Sequence, residues 1–172
     1  MLDLKVHNKL SPKKGRVLIT EPFVNDDYFS RSVVLLCDHN KEGSFGFVLN
    51  KYIDVQIEEL SDFEDSLTKL SKGGPVGNKH LYFIHTLGPD IEGSVHIIDD
   101  IYSSGDFNAI QKMAKLGLIK KDQIRFFLGY SGWTTNQLDG ELKQNGWLVS
   151  EIIDSKSIMD VNNHNIWQAY IN

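Results

Sequence analysis

Short apolar runs of strand length alternate along this chain with polar, turn-rich breaks. Arg16-Val17-Leu18-Ile19-Thr20 is the first such run, stopped by Pro22. Val33-Val34-Leu35-Leu36-Cys37 is the second, rich in β-branched residues and of the length of a strand buried on both faces. Asp38 to Ser44 then supplies turn formers, with Gly43 free to take positive φ, and Phe45 to Leu49 resumes the apolar character, so residues 31–50 read as an antiparallel β-hairpin. Leu81 to His85, closed by Gly88-Pro89-Asp90, and Val95 to Ile98, ended by Asp99-Asp100, read as two further strands that pair with each other. Ile124 to Leu128 and Trp147 to Val149 complete the strand set.

Helical spacing is sparser. Val55 to Leu70 carries Ile57, Leu60, Phe63, Leu67 and Leu70 on a loose helical period with an acidic outer face, and Gly73-Gly74-Pro75-Val76-Gly77 breaks it. Ser103 with Asp106 resembles a capping box that opens a helix through Phe107, Ile110, Met113 and Ala114, with Gly117 as its C-terminal cap. Thr134 with Gln137 resembles a second box, whose helix runs through Leu138 and Leu142 to about Asn145-Gly146. A terminal helix at Asn165 to Tyr170 docks Ile166, Trp167 and Tyr170, Asn25 to Phe29 is a turn or a single helical turn, and residues 1–14 form a polar lead-in. Strands outnumber helices and are joined largely by hairpins, so the fold class is α+β, in a single domain spanning residues 1–172. Runs 33–37 and 124–128 lack polar alternation, which predicts a mixed or antiparallel, β-barrel-like sheet flanked by α-helices.

Composition excludes some classes. No apolar run reaches the length of a membrane span and the charged N-terminus leaves no signal-peptide core, so neither membrane insertion nor export is expected. The single Cys37 fits a reducing, cytoplasmic setting. A net charge of −5 opposes a broad nucleic-acid surface. Basic residues gather in segment 1–16 and at Lys112, Lys115, Lys120, Lys121 and Arg125, enough for weak, salt-sensitive contact, and strong direct DNA binding is not expected.

Motifs for chemistry are thin. Gly129-Tyr130-Ser131-Gly132-Trp133 has the look of a nucleophile elbow at a strand-to-helix junction, but bulky Trp133 stands where that pattern needs glycine, so Gly129 and Gly132 are read as shaping a tight turn and Ser131 as structural. Cys37 and His39 share a strand face and His85 and His96 sit on neighbouring strands, yet no zinc spacing completes either pair. Gly73 to Gly77 lacks the ending of a phosphate loop. Neither metal nor cofactor is expected.

Taken in series, Gly15-Arg16-Val17-Leu18-Ile19, Phe29 to Cys37, His39-Asn40, Glu42-Gly43, Gly46, Val48-Leu49-Asn50, Gly73-Gly74-Pro75-Val76, Ile84-His85, Gly129 to Trp133, Gln137-Leu138, Glu141-Leu142 and Trp147-Leu148 resemble the YqgE/AlgH family of bacterial proteins. The chain departs from that pattern at Lys51-Tyr52, where the family usually carries Arg-Pro. The resemblance implies a compact β-barrel-like domain with flanking helices in the bacterial cytosol, no known reaction, and, for some members, the label of transcriptional regulator. It also implies tolerance of alanine at Ser131. The expected function is accordingly non-catalytic binding or regulation through a protein partner or small ligand. An enzyme with a polar pocket built from the hairpin and the Gly129–Trp133 turn is the alternative. Candidate pocket residues are Arg31, His39, Asn40, Asn50, Gly74, His85, Trp133, Gln137 and Glu141.

Overall fold

The computed structural model describes residues 10–23, 29–144 and 146–171. Most of the turn expected at Asn25 to Phe29 and most of the lead-in therefore lie outside the described residues. The described strands are β1 (Val17–Thr20), β2 (Val33–Asn40), β3 (Gly43–Val48), β4 (Tyr52–Ile53), β5 (Leu70–Lys72), β6 (Val76–His85), β7 (Val95–Ile98), β8 (Ile101–Ser103), β9 (Ile124–Thr134) and β10 (Trp147–Ser150). They join in one sheet of order β10-β1-β2-β3-β9-β6-β8-β7. β9 is its spine: β6 lies along it antiparallel, β5 pairs with it in parallel, and beyond Tyr130 it pairs with β3. The α-helices among the described residues are α1 (Phe107–Lys115), α2 (Gln137–Lys143), α3 (Ser155–Met159) and α4 (Ile166–Ile171). None is long and apolar enough to cross a membrane.

Strand residues alternate between apolar clusters rather than between core and water. Val33, Leu35 and Cys37 join a cluster with Phe47, Phe127 and Leu148 that α3 and α4 cap with Ile158, Met159, Ile166 and Tyr170. Val34 and Leu36 point the other way, to Trp133, Trp147 and Leu138 of α2. Ile124 and Phe126 pack with Leu60, Phe63 and Leu67 and with Ile110 and Ala114 of α1. Both faces are thus covered, which accounts for the unbroken apolar runs. The sheet itself is open. It ends at β10 and β7, and no ladder joins those strands among the described residues. The expected barrel is corrected to a large, mainly antiparallel open sheet, because covering two faces requires layers on each and not closure.

Other expectations change locally. Val55 to Leu70 forms single 3-10 turns at Glu58–Leu60 and Asp65–Leu67, neither with a side-chain cap. A continuous helix there would stack Asp54 over Glu58 and Glu58 over Asp62, like charges four apart. The apolar residues of that period still reach the core. The runs Leu81 to His85 and Val95 to Ile98 do not pair directly, since the short β8 lies between them. Ser103 belongs to β8, and Asp106 caps α1, its Oδ1 accepting from the amides of Asn108 (3.0 Å) and Ala109 (3.4 Å). Gly129 to Trp133 is not a strand-to-helix turn: β9 continues through it to Thr134, with a local break at Gly129.

Candidate functional site

The β2–β3 hairpin is closed by Lys41 and Glu42, with His39 opposite Ser44 and Asn40 opposite Gly43. Its tip is a self-bonded polar knot. Asn40 Oδ1 accepts from the Glu42 amide (2.7 Å), while Asp38 accepts from the His39 amide (2.9 Å) and from Asn40 Nδ2 (3.1 Å). His39 Nδ1 meets Ser44 Oγ at 2.5 Å.

Two glycines bring distant chain against this tip. Gly129 interrupts β9 at φ 74°, and a Cβ there would lie 2.4 Å from the Gly74 carbonyl oxygen. A Cβ on Gly74 would lie 2.0 Å from the Tyr130 carbonyl carbon. Residues 73–75 therefore cross β9 in backbone contact and deliver Val76 opposite Tyr130. Gly132 carries no such demand: its φ is ordinary, and its Cβ would only touch the Tyr130 ring edge at 3.4 Å.

The result is an open cleft of about 640 Å³. Phe45, Tyr82 and Tyr130 are its half-buried aromatic residues, and Asp38, Asn40, Glu42, Ser44, Val76 and Thr134 are among the others that line it. Tyr130 meets Phe45 at 5.9 Å and Tyr82 at 5.5 Å, both edge to face. A second cleft of about 420 Å³ flanks the tip toward α2, lined by His39, Lys41, Asn136, Leu138 and Asp139 and sharing Asn40, Gly43, Ser44 and Thr134 with the first.

The predicted residues divide. His39, Asn40 and Trp133 line one cleft or the other. Gly74 shapes the floor from behind. Trp133 also joins Gln137 and Glu141 in a clamp, where Glu141 Oε1 accepts from the indoles of Trp133 (3.2 Å) and Trp147 (2.9 Å) and Oε2 from Gln137 Nε2 (3.2 Å). Gln137 Oε1 in turn accepts from the Thr134 amide, but Thr134 ends β9 and the helix is preceded by Asn136 without a side-chain cap, so the expected capping box does not form. Asn50 is a brace at the hairpin base, bonded to the Val33 amide and the Arg31 carbonyl, and the Arg31 guanidinium sits 5.7 Å from the Trp167 ring centroid. His85 lies at the far end of β6 from the cleft, fully buried, with Leu87 N–H on Nδ1 and the Ser104 carbonyl on Nε2. Burial pushes its pKa down. Tyr102 separates it from His96 by contacting both rings.

Cys37 is buried beside Leu35, and burial pushes its thiol far up, out of nucleophilic range. Ser131 is buried and donates to the Gly73 carbonyl (3.1 Å). Arg125 is no part of a basic patch, being 2% exposed, and Lys115 is paired with Asp62 at 3.7 Å. Cleft residues outside the candidate set include Asp38, Glu42, Ser44, Phe45, Val76, Tyr82 and Tyr130. The one legible signal was Tyr130, a large ring set near two residues without side chains.

The AlgH-like family model (DUF179) matches residues 17–172. A protein named UPF0301 from Parabacteroides distasonis is 42% identical over 167 residues, covering 94% of this chain and 83% of its own. Another from Bacteroides fragilis is 45% identical over 148 residues, covering 84% and 74%. Among solved structures, a Corynebacterium diphtheriae protein superposes with TM-score 0.78 at 20% identity over 97% of this chain and 90% of its own. The AlgH protein of Pseudomonas aeruginosa does so with TM-score 0.74 at 24% identity over 94% and 89%. At those identities the two structures speak for the fold alone. The match of family model and relatives across nearly the whole chain shows that this protein belongs to the AlgH-like family.

Proposed function

We propose that this is a non-catalytic binding protein of the bacterial cytosol whose ligand site is the cleft at the hairpin tip, and that any regulatory effect runs through the bound partner. The observation that carries this reading is the joining of three half-buried aromatic rings and two carboxylates, from three separate stretches of chain, in one open concavity. A lone buried thiol and bacterial relatives support the compartment. The test is amide chemical-shift mapping with a fragment mixture. Saturable shifts concentrated at Gly43, Ser44, Phe45 and Gly132, and abolished in a folded Gly132→Val protein whose new side chain fills the cleft over Tyr130, are expected. Shifts scattered over the surface would defeat the reading.

One contact favours a second reading. His39 and Ser44 form the base-to-hydroxyl pairing that nucleophilic catalysis requires. They are also directly opposed residues in a hairpin, where such a bond arises from register alone. Labelling of Ser44 by a fluorophosphonate, lost in His39→Ala, would move the enzyme reading ahead.

A further inference from the structure

Resting on the reading of the cleft as a ligand site, we infer that its occupant is cationic: an arginine side chain carried by an extended segment of a partner protein. Asp38 and Glu42 both line the cleft, and none of its described lining residues is Lys, Arg or His. Neither the Arg16–Glu151 nor the Lys115–Asp62 ion pair involves them. Asp38 holds its two local donors and keeps lone pairs to spare, because a carboxylate accepts about four hydrogen bonds. Lys41, next to Glu42, lines the other cleft.

Aromatic faces beside carboxylates select among cations. A guanidinium is flat and weakly hydrated, stacks on rings and forks onto carboxylate oxygens, whereas an ammonium keeps its water more tightly. Phe45, Tyr82 and Tyr130 supply the rings, while Asp38 and Glu42 supply the acceptors. Shape selects the carrier. Asn40, Glu42, Val76, Gly132 and Thr134 are exposed, so the cleft covers its occupant on one side only and suits a side chain whose backbone continues past the rim.

The experiment compares N-acetylarginine amide with N-acetylcitrulline amide, its uncharged near-isostere, by amide shift mapping of the whole protein. N-acetyltryptophan amide, N-acetylglutamate amide and spermidine are run as further arms. The arginine probe is expected to shift Gly43, Ser44, Phe45 and Gly132 saturably in the millimolar range, with citrulline at least about fivefold weaker, as one ion pair and one ring contact allow. Asp38→Asn with Glu42→Gln should weaken the arginine probe about fivefold to tenfold and erase its salt sensitivity. Asparagine at position 38 can still accept from the His39 amide, so the tip keeps that bond and loses only the one from Asn40 Nδ2. Equal binding of citrulline, or cleft shifts from the tryptophan or glutamate probe alone, overturns the cationic ligand while leaving the cleft a binding site. Spermidine acting at far lower concentration than the arginine probe overturns the peptide carrier. No cleft shift with any probe overturns both this inference and the reading on which it rests.

Discussion

Arg125→Met removes a cation that sits where three segments meet. The guanidinium donates from Nη1 to the Ile158 carbonyl (2.7 Å) and from Nη2 to the Leu49 carbonyl and Ser71 Oγ, and it lies 5.1 Å from the Phe127 ring centroid. It therefore ties β9 to the end of the hairpin, to β5 and to α3. Met has a similar span and no donors. Two buried carbonyls are then orphaned at about 1–3 kcal/mol each, and relief from burying a charge offsets part of this, leaving a net loss of about 2–4 kcal/mol. That burial is a real cost, for it holds the guanidinium down to about 10. Arg125→Lys keeps the charge, but a single nitrogen cannot reach both carbonyls, and the loss should be about half as large. Ser71→Ala should cost only about 1 kcal/mol. Urea unfolding followed by tryptophan fluorescence, with equal m-values, measures all three. An Arg125→Met protein as stable as wild type would mean that desolvation of the charge outweighs its hydrogen bonds and that the residue is no brace.

Glu141→Ala should destabilise by about 2–4 kcal/mol, since two indole donors lose their acceptor, and the change in tryptophan emission should report the same site. For His85, a folded pKa below the ordinary 6.5 means that the unfolded chain takes up the proton first. Its contribution to stability is full above about pH 6.5 and declines on acidification, so the urea midpoint should fall more steeply between pH 7 and 5 in wild type than in His85→Gln. Fluorescence anisotropy with mixed duplex DNA should give affinity no better than about micromolar at physiological salt. Nanomolar, sequence-selective binding there would reverse the protein-partner reading.

The strand runs were legible because each carries enough apolar residues to fill both faces, and α1 and α2 because their stripes are regular, whereas α3 went unread. β8 was hidden by its three residues, and the helix expected at Val55 to Leu70 was an apolar period without caps. Arg125 read as surface charge because composition cannot show that neighbouring carbonyls will gather around a side chain. The candidate site was half legible. His39 and Asn40 stood out as turn-forming polar residues, but the aromatic floor depends on the crossing of Gly73-Gly74 over β9, and backbone crossings of distant segments leave no periodic trace. The tight turn expected at Gly129 and Gly132 is a strand instead, in which Gly129 alone takes a positive φ.

β9 enters the sheet between two strands that the ribosome has already released. β3 and β6 are made long before Ile124, yet neither neighbours the other in the finished order, and each waits for the same partner. During synthesis both therefore expose an unpaired hydrogen-bonding edge, and Phe45 and Tyr82 remain without Tyr130. The cleft therefore waits for β9, and a chain released before Ile124 would carry two open edges and no site at all.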